Sequence, residues 1–373
     1  MAKRGADRES IVRDEDLPPL TEGDFRRLEA VGVLREALLQ ERLPNNRVRC
    51  NICQRRCNIA EGRAGYCRTK INRGGTLYTT IYGVISSANA DPIEKKPVFH
   101  YKPGSLVYSI GSFGCNFRCL FCQNWQIAYA DAVSAEGTCE VHVPPQRVID
   151  LARDSGSLGL AWTYNEPGIW LNYALDTAKL AKAAGLYTVY VTNGYATPEH
   201  LDTIGPYLDV YRVDIKSFDD EFYRKLIKVP HVQGILEVAK RAKDKWKMHV
   251  EVVTNVIPTW NDKESTLRSI ARWIVDNLGD LTPWHITRFF PYAQLSNLPP
   301  TPPATLERAV AIGREEGLKF VYLGNIATRT EMNTYCPKDQ RLVIARSGYN
   351  VNLIAVTPDG KCAYDGSELN MVM

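Results

Sequence analysis

The sequence contains no run of eighteen apolar residues, and this absence excludes a membrane-spanning helix. Its first twenty residues lack the apolar segment of a secretory signal peptide, which predicts a cytoplasmic location. The net charge is only +4, from 46 Lys and Arg against 42 Asp and Glu, so composition gives no support for nucleic-acid binding. No GxGxxG sequence follows a predicted strand, which leaves a dinucleotide site without support.

Cysteine, in contrast, is unusually frequent, with ten among 373 residues. In a reducing compartment disulfides are disfavoured, and clustered cysteines indicate metal or redox ligands instead. Seven of the ten lie in two short groups: Cys50, Cys53, Cys57 and Cys67 in the first, and Cys115, Cys119 and Cys122 in the second. The isolated cysteines are Cys139, Cys336 and Cys362, and burial as a small apolar side chain suits Cys139.

From Ser105 onward, apolar runs rich in β-branched and aromatic residues alternate with helical stretches. The runs are LVYSIG, GLAWTYN, YTVYVTN, VYRVDIK, HVEVVTNVI, HITRFF and FVYLGN. This alternation predicts βαβ units, arranged either as a partial (β/α) barrel or as a doubly wound open sheet. Polar residues at the carboxyl ends of the runs favour the barrel, because barrel enzymes build their active sites on that rim. We therefore predict an α/β fold with a partial (β/α)6-type TIM barrel.

The chain before the barrel carries simpler patterns. Residues 21–43 place apolar side chains at intervals of three and four, which predicts an amphipathic helix that ends at Pro44. Two short strands are predicted around TLYTTIYGVISS. A polar connection that contains Lys95, Lys96 and His100 follows. We interpret this connection as a solvated linker, with the lining of a substrate entrance as the alternative. The predicted domains are an N-terminal helical leader at 1–47, a Cys-rich metal-binding domain at 48–104, the barrel at 105–325 and a C-terminal appendage at 326–373.

The second cysteine group, Cys115-x3-Cys119-x2-Cys122, lies directly after the first barrel strand. Three thiolates within eight residues suit one cubane cluster, in which they bind three irons and leave the fourth iron open to a substrate. A structural zinc site or an electron-transfer cluster uses four ligands, and this loop contains no fourth. The spacing therefore favours a [4Fe-4S] cluster with an open position over a zinc site.

This CxxxCxxC loop, with Phe121 before its last cysteine, resembles the signature of radical S-adenosylmethionine (SAM) enzymes. DPIEKKPVFHYKPGS, SIGSFGCNFRCLFCQNW, TYNEP, VDIKSF, NVIPTWND, HITRFFP and YLGN resemble the radical SAM member of the AmmeMemoRadiSam system, which is related to the pyruvate formate-lyase activating enzymes. The resemblance covers nearly the whole chain from Val48 onward. It implies that the three cysteines bind a [4Fe-4S] cluster whose open iron chelates SAM, and that reduction yields a 5′-deoxyadenosyl radical.

The resemblance also implies residues that hold SAM. Activating enzymes carry Gly-Gly-Glu-Pro where this chain has TYNEP, so Thr163 and Glu166 become candidates for the SAM ammonium, with helix capping as the alternative role of Glu166. Asp214 and Lys216 resemble a SAM-contacting Asp-x-Lys pair, with a structural salt bridge as the alternative. The predicted SAM-binding residues are Phe121, Thr163, Asn165, Glu166, Thr192, Asn193, Asp214, Lys216, Thr254, His285 and Arg288.

The first cysteine group supplies four ligands, which close the coordination shell of a metal site. It predicts a structural or electron-conducting site with zinc or a second iron–sulfur cluster, because thiolates do not choose between them. The resemblance further implies two paired-cysteine knuckles near the C-terminal end, but this chain has Cys336-x2-Asp339 and Cys362-x2-Asp365. We therefore predict a degenerate zinc-ribbon-like segment at 326–373, and favour loss of the metal over a Cys2Asp2 zinc site.

Together these features predict a radical SAM enzyme that cleaves SAM reductively and abstracts hydrogen from an unidentified substrate. Kinship with activating enzymes suggests a glycyl-radical-type protein target. The alternatives are radical modification of a small molecule or partner protein together with Memo-like and Amme-like partners, and a non-catalytic iron–sulfur or zinc electron-transfer protein. The expected partners are SAM and an electron donor such as ferredoxin or flavodoxin, without a membrane or a nucleic acid.

Overall fold

The computed structural model describes residues 21–130, 142–326 and 330–373. Cys139 lies outside these described residues, so its predicted burial stays a prediction. Within the described ranges the longest helix has 15 residues, and none combines the length and the apolar character needed to cross a membrane.

The first described helix, α1 (Glu22–Ala30), begins with a capping box in which Thr21 and Asp24 bond each other's backbone amides. The predicted helix over 21–43 is wrong beyond Ala30. Gly32 adopts a left-handed φ of 77°, which ends the helix, and the following residues pair as strands. These strands and their partners are β1 (Arg35–Glu36), β2 (Gln40–Leu43), β3 (Arg47–Cys50), β4 (Asn58–Ile59), β5 (Lys70–Arg73) and β6 (Thr76–Thr79).

The six short strands form two antiparallel sheets, ordered β1-β6-β5 and β2-β3-β4. Cys50 ends β3 and Cys57 immediately precedes β4, whereas Cys67 lies between β4 and β5, so the first cysteine group connects the two sheets along the chain. Only the beginning of TLYTTIYGVISS is extended, as β6, and the next strand starts at Ser87.

The central sheet has eight strands, and the helices lie between them in the chain. The strands are β7 (Ser87–Pro92), β8 (Leu106–Gly111), β9 (Gly159–Trp162), β10 (Tyr187–Thr192), β11 (Val210–Asp214), β12 (His249–Val256), β13 (Trp284–Arg288) and β14 (Val321–Gly324). The helices are α2 (Trp125–Ala128), α3 (Pro145–Asp154), α4 (Leu171–Ala183), α5 (Pro198–Ile204), α6 (Asp220–Phe222), α7 (Gln233–Asp244), α8 (Glu264–Leu278) and α9 (Pro303–Glu315).

Strands β8 to β14 are parallel and follow one another across the sheet in chain order, while β7 pairs with β8 in the antiparallel sense. A doubly wound sheet would contain a reversal of strand order, and this sheet has none among its described strands. The chain is therefore an α/β protein with a partial TIM-barrel core, which confirms the predicted fold class. Strands such as β10 are buried along their whole length, so their sequences are rich in apolar residues. This is why they could be predicted from the sequence.

The C-terminal segment adds a third antiparallel sheet, with β15 (Thr334–Tyr335), β16 (Leu342–Ser347) and β17 (Asn350–Leu353). Its apolar side chains share a core cluster with Phe99, Phe320 and Tyr322 of the barrel. Near the end of the chain, the Val372 amide donates to the His100 carbonyl at 2.9 Å. The segment thus packs between β14 and the connection that precedes β8.

One buried carboxylate joins several of these parts. Glu251 on β12 is fully buried and accepts hydrogen bonds from the backbone amides of Phe99 and His100 at 2.8–3.0 Å. His249 and His285 each place Nε2 against the same carboxylate, at 2.9 and 2.5 Å. Burial opposes its ionisation, but the hydrogen bonds from His249 and His285 lower the pKa of Glu251 well below its usual value. Four donors therefore hold an ionised carboxylate inside the barrel.

We expect Glu251→Gln to lower the free energy of unfolding by about 3–5 kcal/mol at pH 7, because it removes one partner of a buried charged network. Ionised Glu251 stabilises the fold above its unfolded pKa of 4.5, and this contribution is lost as the pH falls through the lower folded value. Urea unfolding at several pH values measures both effects. The control, Glu237→Gln on the exposed face of α7, should change stability by less than about 0.5 kcal/mol. Equal stabilities for the two variants would contradict this role of Glu251.

Candidate active site

A cavity of about 770 Å³ opens at the carboxyl ends of the parallel strands. Strand-end residues and the loop after β8 supply much of its lining. The predicted site residues that line it are Cys115, Cys119, Phe121, Cys122, Thr163, Asn165, Glu166, Thr192, Asn193, Asp214, Lys216 and His285. The structure thus brings the second cysteine group and most of the predicted SAM-binding residues to one cavity.

A π-helical turn at Tyr223–Ile227 holds the three-cysteine loop in place. The Arg118 and Leu120 amides donate to the carbonyls of Ile227 and Leu226, at 3.1 and 2.9 Å. The Tyr129 hydroxyl donates to the Cys119 carbonyl at 2.6 Å. The loop has little regular structure of its own, so these bonds fix its backbone from outside.

The three thiols of this loop are poorly solvated. Burial raises the pKa of Cys115 to about 12 and that of Cys119 and Cys122 above the ordinary value. The Phe117 amide donates to the Cys115 sulfur, with N and Sγ 3.4 Å apart. Because three thiolates without a cation would be unstable here, the donor set suits a positively charged iron centre that faces the cavity.

Residues of the TYNEP segment support this loop. Asn165 Oδ1 accepts from the Ser112 amide at 3.1 Å, and its Nδ2 donates to the Gly114 carbonyl at 2.9 Å. Asn124 donates to the carbonyl of Tyr164, which has a positive φ of 71°. The segment after β9 is therefore bonded both to the backbone just before Cys115 and to Asn124, just after Cys122.

Glu166 is fully buried and its carboxylate already has three donors. The amides of Gly168 and Asn193 and the Thr192 hydroxyl all lie 2.8 Å from its oxygens. Burial raises the pKa of Glu166 to about 7, although these hydrogen bonds act in the opposite direction. Its bond to Gly168 caps a short 3₁₀ helix, Pro167–Trp170, so the capping role expected as an alternative is present.

Charged side chains form a row along β11 and beyond. Lys216 Nζ lies 2.6 Å from Asp214, and the Arg212 guanidinium pairs with the other oxygen of that carboxylate. Burial opposes ionisation of Asp214, but its charged neighbours Lys216 and Arg212 lower the pKa below the usual value. Sequence reasoning missed Arg212, although the two-residue period of a strand places it on the same face as Asp214 and Lys216.

A second basic group comes from the connection before β8. Lys95 and Lys96 both bind Asp91, with N–O distances of 2.8 and 2.6 Å, and both line the cavity. Lys96 is only 4% exposed, so its interpretation as part of a solvated linker was wrong. His100 is also buried, where it bonds the Leu369 carbonyl and the Tyr322 hydroxyl.

Two predicted site residues, Thr254 and Arg288, lie outside the described lining of the cavity. Thr254 donates to the Ile215 carbonyl and Arg288 donates to the Thr301 carbonyl. Successive side chains of a strand point to opposite faces of the sheet. The residues that line the cavity are Val253 and Asn255 on β12 and His285 and Thr287 on β13, so Thr254 and Arg288 point away from it. His285 lines the cavity, but its Nε2 atom hydrogen-bonds the Glu251 carboxylate.

The first cysteine group lies beside this loop. Its four cysteines line one small cavity together with Lys70 and Asn116. Arg118 links the two groups, since it donates to the Cys115 carbonyl at 2.8 Å and to the Tyr66 carbonyl at 2.9 Å. Gly114 has a positive φ, and a Cβ there would lie only 2.6 Å from the Cys67 carbonyl oxygen. The two groups are therefore in close contact through their backbones.

The Radical SAM superfamily model matches residues 109–270. Uncharacterized protein MJ0808 of Methanocaldococcus jannaschii is 38% identical over 343 residues, covering 91% of this chain and 100% of that protein. The pyruvate formate-lyase-activating enzyme of Clostridium pasteurianum is 26% identical over 195 residues, covering 49% of this chain and 77% of that enzyme. A solved domain of pyruvate-formate lyase-activating enzyme from Bacteroides vulgatus has a TM-score of 0.39 and 18% identity, covering 45% of this chain and 99% of that domain.

The chain contains a Radical SAM superfamily domain and has homology to pyruvate formate-lyase activating enzymes. This domain implies a [4Fe-4S] cluster, SAM and a reductant that donates the electron. The half-buried thiols and the polar strand ends of the cavity fit these cofactors chemically.

We expect Asn165→Ala to weaken iron binding, because it frees the Ser112 amide and the Gly114 carbonyl beside the cysteine loop. Unfolding free energy should fall by about 1–3 kcal/mol. Iron per chain after anaerobic reconstitution should fall below the wild-type value. Asn277→Ala, which removes a bond to the Trp273 carbonyl on α8, is the control and should retain wild-type iron. Full iron content in Asn165→Ala would contradict the supporting role.

Proposed function

We propose that the protein is a radical SAM enzyme in which Cys115, Cys119 and Cys122 ligate one [4Fe-4S] cluster. The observation that carries the proposal is the arrangement of three half-buried thiols at one cavity with the polar residues that follow β9, β10 and β11. When bound, the cluster and SAM supply one-electron reductive cleavage of the sulfonium to a 5′-deoxyadenosyl radical, which abstracts hydrogen from the substrate.

The chain's own groups bind and orient SAM. Asp214 offers a carboxylate to the ammonium, and Lys216 offers a cation to the SAM carboxylate, each held in place by the other. Asn193 and Thr163 line the same cavity, and Phe121 lies close to Lys216, whose Nζ is 5.9 Å from the Phe121 ring centre. Glu166 orients Thr192 and Asn193 through its bonds, so we propose a positioning role for it.

The substrate of this reaction is a protein glycine or another group that reaches the cavity. The homology to activating enzymes supports a glycyl-radical-type protein target. Lys95, Lys96 and Arg212 give the remaining lining a basic character, which suits an acidic substrate group. Modification of a small molecule or of a partner protein, together with Memo-like and Amme-like partners, is the second candidate that this lining accommodates.

The first cysteine group holds zinc or a second iron–sulfur cluster, and its spacing favours the cluster. Thiolates around one zinc lie about 3.8 Å apart, since each Zn–S bond is about 2.3 Å long. Among the described residues, Cys50, Cys53, Cys57 and Cys67 do not form a set whose ligand atoms all lie within 4.8 Å of one another. A cubane holds its thiolates farther apart, because each binds a different iron. Close contact with the three-cysteine loop suits electron delivery from a ferredoxin- or flavodoxin-like donor.

Reconstituted wild-type protein, given SAM and dithionite without oxygen, should release 5′-deoxyadenosine. Cys119→Ala should reduce that release at least about 100-fold, because the cluster loses one of three ligands. Liquid chromatography with mass detection measures the product. Cys139→Ala, outside both cysteine groups, is the control and should retain activity. Absence of product from wild-type protein with a complete cluster would refute the catalytic proposal.

Iron analysis tests the first group separately. A Cys115→Ala, Cys119→Ala, Cys122→Ala triple variant should keep iron and sulfide in the first group and give an electron paramagnetic resonance signal after reduction. Further substitution of Cys53→Ala should remove that signal, because one of its four ligands is lost. Zinc in place of iron in the triple variant, lost on the further Cys53→Ala substitution, would show that the first group is a zinc site.

A further inference from the structure

Two loops of the C-terminal segment bring three ligand-type side chains together. Cys336 follows β15, while Cys362 and Asp365 lie on a turn near the end of the chain. Their ligand atoms all lie within 4.8 Å of one another, and within the described ranges this is the one set of three or more His, Cys, Asp or Glu side chains that meets this limit. The residues are 26 and 3 positions apart in sequence, so the fold assembles the set.

The spacing matches the coordination shell of a single zinc ion. The Cys336 sulfur lies 3.6 Å from each carboxylate oxygen of Asp365. With Zn–S and Zn–O bonds of about 2.3 and 2.0 Å, a thiolate and a carboxylate oxygen on one tetrahedral zinc are about 3.5 Å apart. Small movements of the exposed Asp365 side chain are enough to complete this geometry, because the two cysteines are fixed in the core at 0% exposure.

The surroundings of the sulfurs also suit a metal. Cys336 and Cys362 lie in one apolar core cluster, which shields a metal bound between their sulfurs from water. Two tight turns present the ligands, since the Gln340 amide donates to the Cys336 carbonyl and the Gly366 amide to the Cys362 carbonyl, at 3.0 and 2.8 Å.

We propose that Cys336, Cys362 and Asp365 bind one zinc ion. Two thiolates select zinc over magnesium or calcium, and one carboxylate is an ordinary third zinc ligand. Asp339 is already engaged, because its carboxylate accepts from the Arg341 amide at 3.1 Å and the Arg341 side chain at 2.6 Å. The fourth position is therefore taken by water. This assignment reverses the expectation that the two Cys-to-Asp differences remove the metal.

The ion would fix a wall of the large cavity. Cys336 lies before β16, and the turn between β16 and β17 places Gly348 and Tyr349 in the lining of the cavity that contains the three-cysteine loop. Met332 lines the same cavity just before β15. The zinc site thus holds the segment that faces the substrate. This consequence rests on the proposed function, whereas zinc binding itself does not.

Metal analysis of the full-length protein tests the site. Purified anaerobically, the wild-type chain should contain one zinc more than Asp365→Asn or Cys362→Ser, with unchanged iron in all three proteins. Asp365→Asn is the decisive variant, because its side chain is exposed and its loss should leave the fold intact. Asp365→Cys should retain the zinc, since a thiolate replaces the carboxylate. Asp359→Asn, an exposed acid of the preceding turn, is the control and should keep wild-type zinc.

Cobalt gives a readout that is independent of enzyme activity. Protein loaded with Co²⁺ should show thiolate-to-cobalt absorption, and the part of it assigned to this site should vanish in Cys362→Ser. Equal zinc and equal cobalt spectra in wild type, Asp365→Asn and Cys362→Ser would overturn the proposal. Cys362→Ser and Asp365→Asn should still release 5′-deoxyadenosine with SAM and dithionite. Failure of the wild type to release it would refute the proposed function and leave the zinc result standing.

Discussion

The fold depends on stabilising one negative charge inside the barrel. Glu251 is fully buried, and its donors come from β12, β13 and the connection before β8. A buried carboxylate with any of these donors missing would be costly, so the three elements are stable only in one mutual arrangement. The same connection receives the end of the chain at His100 and the Arg346 guanidinium at Phe99. One charge therefore sets the position of the segment that packs beside β14.

The cavity keeps other charges in ion-paired groups, each with two cations on one carboxylate. Asp214 lies between Arg212 and Lys216, and Asp91 binds Lys95 and Lys96. Glu166 differs, because neutral donors surround it and its pKa is raised to about 7. Opposite charges that are already paired can exchange partners with a zwitterionic ligand at little desolvation cost. This arrangement suits a ligand that carries both an ammonium and a carboxylate.

Sequence reasoning predicted the barrel well because its strands are continuous apolar runs bounded by polar residues. It failed where the conformation depends on which segments pair as strands, or on which face of the sheet a side chain lies. The periodicity of 21–43 does not reveal that Gly32 turns left-handed and that the chain then pairs with β6. Thr254 and Arg288 were assigned to the cavity by their position at strand ends, but their side chains lie on the other face. The antiparallel β7, with the polar sequence SANADP, carries no strand pattern.

The contact between the three-cysteine loop and the π-helical turn has a consequence for how the protein is made. Arg118 and Leu120 obtain their carbonyl partners from Ile227 and Leu226, more than 100 residues later in the sequence. A ribosome adds residues at roughly 5–20 per second, so the loop emerges several seconds before the turn that shapes it. During that interval its thiols are present without their final geometry. Maturation of the metal centre is therefore coupled to completion of the barrel, and delivery of iron and sulfide to the finished fold is the order of assembly that the contact favours.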